Sequence, residues 1–150
     1  MMFKTFIALN FGKKIFFWVS HRKNKNAGKS EVRASELEHS ELMLLEDGHC
    51  LKDHILDACN ISSTSQYSLK ASSLNTLIQL VKGKMGTTLV PKMALKELVG
   101  NKKDLSVSHL NEPGPHREIA LITRPNYAGM ESVKLLLNFF KKSLKEFNKD

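Results

Sequence analysis

The sequence lacks several features that would assign it to a specialised class of protein. Its 150 residues include two cysteines, which excludes a disulfide-rich secreted scaffold. No apolar run reaches the roughly 18 residues that a membrane-spanning helix needs. A secretory signal is also missing, because residues 6–11 are too short an apolar stretch and residues 21–29 do not resemble a cleavage region. We therefore expect a cytoplasmic protein whose two cysteines rest as thiols.

Acidic residues are almost absent from the first 33 positions, and this absence locates the excess positive charge of the chain. Residues 1–33 contain eight basic residues and one acidic residue, whereas residues 34–150 contain 15 basic and 14 acidic residues. The body of the protein is therefore nearly neutral, without the basic face that is typical of a nucleic-acid-binding domain. Residues 1–33 are interpreted as a solvated, partly disordered arm.

Hydrophobic patterning indicates strands that alternate with helices. Strands are predicted at residues 16–20, 42–45, 67–71, 87–90, 105–110 and 119–123. Helices are predicted at residues 50–59, from a Ser72 or Ser73 cap to a left-handed Gly83, at residues 93–99, and from about Met130, where Val133, Leu136, Leu137, Phe140, Leu144 and Phe147 form one apolar stripe. The continuous apolar run at 42–45 is typical of a strand buried on both faces. This alternation predicts an α/β fold.

Cys50 and Cys59 are nine positions apart, a spacing that matches neither a thioredoxin-type motif nor a zinc ribbon. Cys50 is expected in the first turn of a helix, where unpaired backbone N–H groups and the helix dipole favour a thiolate. Cationic and acidic neighbours leave the net electrostatic effect open; they are His49, Lys52, Glu46, Asp47 and Asp53. Nine helical residues turn about half a circle and rise ~13.5 Å, so the two sulfurs could bond only if the helix unwound.

Three interpretations of this cysteine pair stay open on spacing alone. The two cysteines can be unrelated, with one at a helix start and the other in the core. They can also form a bistable redox switch between a helix and a disulfide. A metal site of His49, Cys50, His54 and Cys59 is disfavoured, because Cys59 would lie on the opposite helix face. We expect no metal and no cofactor.

Residues 44–53 (LLEDGHCLKD), with Cys59 after them, closely resemble the redox motif of the OxyR group, the hydrogen peroxide-sensing activators of the LysR family of transcription regulators. Residues 72–77, 85–91 and 115–125 agree in order and spacing with LysR-type effector domains more broadly. The resemblance covers about Phe17 to the C-terminus. It implies an α/β, periplasmic-binding-protein-like (type 2) effector domain of LysR-type regulators, truncated at its N-terminal side.

The resemblance also implies a domain organisation. Residues 1–16 would be an unassigned N-terminal arm, residues 17–119 effector subdomain II, and residues 120–150 the returning strand and helix of subdomain I. The DNA-binding helix-turn-helix would be missing, as would the family threonines that hydrogen-bond peroxide. The closing helix would then expose its Leu/Phe stripe. Full-length relatives bind DNA and form homo-oligomers, whereas we expect this fragment to bind no specific DNA and no membrane.

Site roles follow from the same resemblance. Cys50 would be the peroxidatic cysteine and Cys59 the resolving cysteine, with His49, Asp53 and Arg117 as supporting residues near the reactive sulfur. Hydrogen peroxide would oxidise Cys50 to a sulfenic acid that Cys59 traps as a disulfide, and a glutaredoxin- or thioredoxin-type reductant would reset the pair. The expected function is peroxide-responsive transcription regulation and not enzymatic. Two alternatives stay open: a non-redox small-ligand-binding LysR effector domain, and a thiol peroxidase-like enzyme that uses Cys50.

Overall fold

A computed structural model of the chain describes residues 6–62, 69–101, 103–113 and 117–147; the side chains of Lys13, Lys14, Arg117, Glu146 and Phe147 lie outside that description. In chain order the elements are β1 (Ile7–Lys14), β2 (Phe16–His21), β3 (Glu31–Val32), β4 (Leu44–Leu45), α1 (Cys50–Cys59), β5 (Lys70–Ala71), α2 (Leu74–Lys82), β6 (Thr88–Pro91), α3 (Lys92–Leu98), β7 (Leu105–Leu110), β8 (Arg117–Thr123) and α4 (Met130–Phe147), with short 3-10 helices at Ala34–Glu36 and His39–Glu41. They form two units: residues 14–116, and residues 1–13 together with 117–150. The predicted α/β fold class is confirmed.

A four-stranded sheet in the order β3–β7–β2–β6 organises the larger unit. β2 runs antiparallel to both β6 and β7, while β3 runs parallel to β7. β4 and β5 form a separate parallel pair. A parallel bridge between Leu42 and Thr87 connects the chain just before β4 with the chain just before β6. β4 and β6 therefore run in the same direction, so their carboxyl ends lie on the same side.

The core of the larger unit consists mainly of apolar side chains from its strands and from α1 and α2. The predicted run at 42–45 is confirmed as buried, and it contributes to both β4 and the bridge before it. The largest fully buried side chains are Trp18, Phe16, Leu42, Met43, Leu44, Ile55, Leu77, Ile78, Leu89 and Leu110. Burying an aliphatic side chain of this size stabilises a fold by about 1.5–3 kcal/mol.

α2 begins where a serine cap predicts it. The side chain of Ser73 accepts a hydrogen bond from the backbone N–H of Thr76 at 3.1 Å, which satisfies one of the N–H groups that the first helical turn leaves free. The predicted left-handed conformation of Gly83 is wrong, because Gly83 has a φ of −73°. Lys84 takes that role instead, with a φ of 62°.

The interpretation of residues 1–33 as a partly disordered arm is wrong for the described part of that segment. β1, β2 and β3 all lie within it, and β2 supplies Phe16, Trp18 and Val19 to the core. The charged residues that suggested disorder are concentrated in the connection between β2 and β3. Two of them are neutralised locally, since Lys25 pairs with Glu38 and Lys29 pairs with Glu36.

The smaller unit pairs β1 with β8 and includes α4. The predicted helix from Met130 is confirmed. The predicted exposure of its stripe is confirmed at Leu136, which is 50% exposed, whereas the other described stripe residues are half-buried. Phe140 of the stripe stacks on Phe11 of β1, a strand that the sequence did not indicate, with ring centroids 5.3 Å apart. Leu135 (71%) and Phe139 (64%), outside the stripe, are also exposed.

The predicted division into residues 1–16, 17–119 and 120–150 stays a prediction, as does the assignment of its last two pieces to effector subdomains. The predicted strand at 67–71 is described only at its end, as β5, because its first two residues lie outside the described residues. None of the described helices combines the length and the apolar character that crossing a membrane requires.

Candidate redox site

A buried strand leads the chain to the start of α1. Leu44 and Leu45 are buried, and the four residues that follow them are exposed. Gly48 has a φ of 92°, a left-handed backbone conformation that glycine adopts without steric cost. The chain turns there, and His49 becomes the N-cap residue of α1 with an extended backbone. The predicted order of strand, loop and helix is confirmed.

Cys50 is the first residue of α1 and is exposed. The backbone N–H groups of the first helical turn have no partner within the helix, and the positive end of the helix dipole lies there. His49 and Asp53 are exposed in the same turn. The structure thus places three of the five predicted site residues together at one solvent-facing helix start.

An ion-pair cluster joins the loop before α1 to the helix and to β5. The Asp47 carboxylate pairs with Lys52 Nζ and, at 3.0 Å, with Lys70 Nζ. The Lys52 side chain is buried along α1, whereas Asp47 is exposed. The hydrogen bond from Lys52, followed by the one from Lys70, holds the pKa of Asp47 at about 2, below its usual value. The opposite charges of Asp47 and Lys52 therefore compensate each other, and Lys70 is a partner that no sequence pattern indicated.

Cys59 is the last residue of α1 and lies in the core, only 7% exposed. Burial raises the pKa of its thiol to about 12, and the Glu112 carboxylate adds a smaller upward shift. The helix ends there because Asn60 takes a left-handed conformation, with a φ of 52°, and the Ile61 N–H bonds to the Leu56 carbonyl at 2.9 Å. Cys59 is thus a neutral thiol with little contact with solvent.

The two thiols lie at opposite ends of one helix and are both free. Nine helical steps separate their Cα atoms by ~13.5 Å along the axis, beyond the ~7 Å that a disulfide tolerates. The same helix buries Leu51, Ile55 and Leu56 against the core. A Cys50–Cys59 disulfide therefore requires α1 to unwind, and unwinding removes these three side chains from their packing.

The four residues of the metal hypothesis do not converge. Within the described ranges, no group of three or more His, Cys, Asp and Glu side chains is arranged to hold a metal ion. Cys50 and His54 share one side of α1, but Cys59 is buried at its other end. The Nδ1 atom of His54 is buried and has no hydrogen-bond partner in the described part of the chain.

Arg117 begins β8 and belongs to the smaller unit. The predicted strand at 119–123 is confirmed as part of β8. Because the Arg117 side chain lies outside the described residues, its predicted role near Cys50 stays a prediction.

Comparison with known proteins identifies the family of the chain. The model of the LysR substrate-binding domain matches residues 4–145. The chain belongs to this family. It is 40% identical over 109 residues to the HTH-type transcriptional regulator EstR of Acinetobacter baylyi, and this alignment covers 71% of the chain and 36% of EstR. It is 34% identical over 112 residues to a probable hydrogen peroxide-inducible genes activator of Mycobacterium avium, which covers 73% of this chain and 36% of that protein.

The LysR substrate-binding fold is also evident in solved structures. A cysteine mutant of Corynebacterium glutamicum OxyR superimposes with a TM-score of 0.82 at 28% identity, covering 94% of this chain and 45% of that chain. The predicted LysR effector fold is therefore confirmed. The chain spans about a third of the length of the curated LysR relatives described above.

Proposed function

We propose that this chain is the sensing part of a hydrogen peroxide-responsive LysR-type transcription regulator, and that a reversible Cys50–Cys59 disulfide is its switch. One observation carries the proposal: a single helix bears an exposed cysteine at its N-terminal end and a buried cysteine at its C-terminal end. The names of the Mycobacterium avium relative and of the Corynebacterium glutamicum structure support peroxide as the signal.

The chemistry proceeds in two balanced steps. The Cys50 thiolate attacks one oxygen of hydrogen peroxide, the O–O bond breaks, and Cys50 sulfenic acid and hydroxide form. The Cys59 thiol then displaces the sulfenic hydroxyl, which leaves as water while the disulfide forms. His49 and Asp53 would assist at the sulfur, and Arg117 would stabilise the developing hydroxide, because a guanidinium is always charged and carries five donors.

Oxidation is coupled to a structural change because α1 cannot hold both sulfurs within bonding distance. Forming the disulfide closes a loop of about ten residues, worth about 2.7 kcal/mol in the loop-entropy model. It also withdraws Leu51, Ile55 and Leu56 from the core. The reduced and oxidised forms thus differ in exposed apolar surface, which is what a regulator needs to change its contacts.

The surrounding assignments belong to the same proposal. A dithiol reductant of the glutaredoxin or thioredoxin type would reset the switch in the cytoplasm, where thiols are kept reduced. Specific DNA binding and homo-oligomer formation would reside in the full-length relatives. The chain would act as a stoichiometric sensor and not as an enzyme.

Mass spectrometry of peroxide-treated protein tests the switch. We expect one peroxide equivalent to link the Cys50 and Cys59 peptides with the loss of two hydrogens. A Cys59→Ser variant should instead accumulate a sulfenic acid at Cys50 that a dimedone probe traps. Protein that shows neither the linked peptides nor the trapped adduct would refute the redox proposal.

A second candidate is a LysR effector domain that binds a small ligand without redox chemistry; the relative EstR, 40% identical, is named as a transcriptional regulator with no mention of peroxide. It predicts that replacing both Cys50 and Cys59 with serine leaves the regulatory response intact. A third, a thiol peroxidase-like enzyme, predicts sustained peroxide consumption with a thiol reductant. The sensor proposal predicts no more than slow turnover after the first equivalent.

A further inference from the structure

A pocket lies in the larger unit, away from the redox helix α1. It has a volume of about 230 Å³, and it is lined by His21, Lys23, Asn24, Glu41, Lys84, Met85 and Gly86. These residues come from the end of β2 and the turn after it, from the second 3-10 helix, and from the turn between α2 and β6. Three segments that are distant in sequence therefore build one cavity.

The strand register places this pocket at the opposite end of the sheet from Cys50. β2 runs antiparallel to β6, with Phe16 opposite Pro91 and Val19 opposite Thr88, so His21 lies beyond the amino end of β6. β4 runs in the same direction as β6, and α1 starts after the carboxyl end of β4. The pocket and the start of α1 therefore face opposite edges.

Among the residues that the structure describes, the two lysines that line the pocket form no ion pair with a carboxylate, whereas two other lysines of the connection after β2 do. Lys25 and Lys29, in the same connection, pair with Glu38 and Glu36. Within the described ranges, neither Lys23 nor Lys84 lies within ion-pair distance of a carboxylate. Two exposed lysines thus line this cavity without such a pair in the described part of the chain.

The remaining polar groups of the pocket are already arranged. Asn24 donates to the Glu41 carboxylate at 3.3 Å, and its side-chain oxygen accepts from the Asn26 N–H. His21 accepts the Lys23 N–H at its Nδ1 atom at 3.0 Å, so its other ring nitrogen carries the proton and is a donor. The residues that line the pocket therefore include two lysines and one histidine, and their carboxylate, that of Glu41, accepts from the Asn24 amide.

Lys84 has a left-handed backbone conformation, which is sterically unfavourable for a residue with a side chain. Its φ of 62° lies in the left-handed region, where a residue with a Cβ atom is strained and glycine is not. Gly83, directly before it, has a φ of −73° and does not use the freedom of glycine. Gly86 fixes the turn, because a Cβ atom there would lie 2.4 Å from the Glu41 carbonyl oxygen. This conformation of Lys84 ends α2, where the Met85 N–H bonds to the Leu80 carbonyl at 3.1 Å.

We propose that this pocket binds a small tetrahedral oxyanion, either free inorganic phosphate or the phosphate group of a small metabolite, through Lys23, Lys84 and the imidazole N–H of His21. Lysine ammonium groups bind phosphate as point charges, and a protonated ring nitrogen adds a directed hydrogen bond. The site requires no oxidation of Cys50 and is independent of the proposed redox function.

Titration calorimetry of the full chain with inorganic phosphate, at ionic strength held constant with chloride, tests the proposal. We expect saturable binding of one phosphate per chain. Lys23→Gln and Lys84→Gly should each weaken binding at least tenfold, whereas Lys96→Gln, which removes an exposed lysine of α3, should leave it unchanged. A parallel titration with glycerol phosphate distinguishes the two sources, since tighter binding than phosphate indicates a phosphate ester as the ligand.

The Lys84→Gly variant gives a signature that general charge loss does not. Because glycine adopts this backbone conformation without strain, the variant should melt at a higher temperature than the wild type in phosphate-free buffer. Added phosphate should then raise the melting temperature of the wild type but not of Lys84→Gly. Absence of saturable phosphate binding by the wild type, or unchanged binding by Lys84→Gly, would overturn the proposal.

Discussion

Exposure and burial separate the two cysteines and predict the order in which they react. Cys50 is exposed at a helix start, whereas burial raises the pKa of Cys59 to about 12 and hides its sulfur. We expect iodoacetamide to modify Cys50 in the reduced, folded protein at least tenfold faster than Cys59, because alkylation needs an accessible thiolate. Peptide mapping after timed quenching measures both rates, and urea-unfolded protein is the control in which the rates converge. Equal rates in folded protein would contradict this assignment.

Arg117 is predicted to assist the oxidation of Cys50, although it lies 67 residues away in sequence, and a substitution can test this role. An Arg117→Ala protein should form Cys50 sulfenic acid more slowly, because the cation that would stabilise the leaving hydroxide is lost. Its free energy of unfolding should change by less than about 1 kcal/mol. Stopped-flow oxidation with Arg117→Lys as the matched variant separates charge from hydrogen-bond geometry. Unchanged oxidation kinetics in both variants would reject the role.

At the scale of single elements, the ion pairs of Asp47 hold the loop before α1, and they predict that the stability of the chain depends on pH. The pKa of Asp47 is about 2 in the folded chain and about 3.9 in an unfolded one, so its stabilising contribution is complete above about pH 4 and is lost as the pH falls towards 2. Asp47→Asn should therefore be less stable than the wild type at pH 7, and the two proteins should converge in stability between about pH 4 and 2.

Urea unfolding at a series of pH values measures this difference. Asp57→Asn, which removes one exposed carboxylate from the same helix, is the matched control. A difference between Asp47→Asn and the wild type that stays constant through the acid range would show that the ion pairs with Lys52 and Lys70 contribute nothing.

Elements whose signal is local were predictable, and those defined by distant partners were not. α1, α2 and α4 follow from apolar spacing and from the Ser73 cap, because a helix satisfies its backbone within its own sequence. β1 was missed because its pairing with β8 depends on residues about 100 positions away. The sequence predicts the left-handed residue after α2 at Gly83, but the structure has it at Lys84. Glycine permits that conformation without requiring it.

For the molecule as a whole, the distribution of charge predicts weak DNA binding. The basic connection after β2 is partly neutralised by Glu36 and Glu38, and the rest of the chain is nearly neutral. We expect this chain to bind duplex DNA without sequence preference and to lose that binding between about 50 and 200 mM salt, as contacts limited to phosphate do. Fluorescence anisotropy with two unrelated duplexes measures this. Sequence-specific binding at the higher salt concentration would contradict the interpretation of the chain as an effector domain alone.

The candidate sites show the same contrast at molecular scale. The redox helix could be predicted because Cys50 and Cys59 lie in one short segment that carries its own motif. The phosphate pocket could not, because the pairing of β2 with β6 brings His21 beside Lys84, and the bridge from Leu42 to Thr87 adds Glu41. Sites assembled across a sheet leave no periodic trace in the sequence.

The pairing of β1 with β8 has a consequence for synthesis of the chain. β1 is synthesised before the whole segment 14–116, and its partner β8 is synthesised only after that segment. At about 5–20 residues per second, the gap between the two strands corresponds to roughly 5–20 s. Through that interval β1 is an unpaired strand edge, open to chaperones and to other nascent chains. The speed of translation, more than the sequence of β1 itself, therefore sets how long this strand is at risk of misassembly.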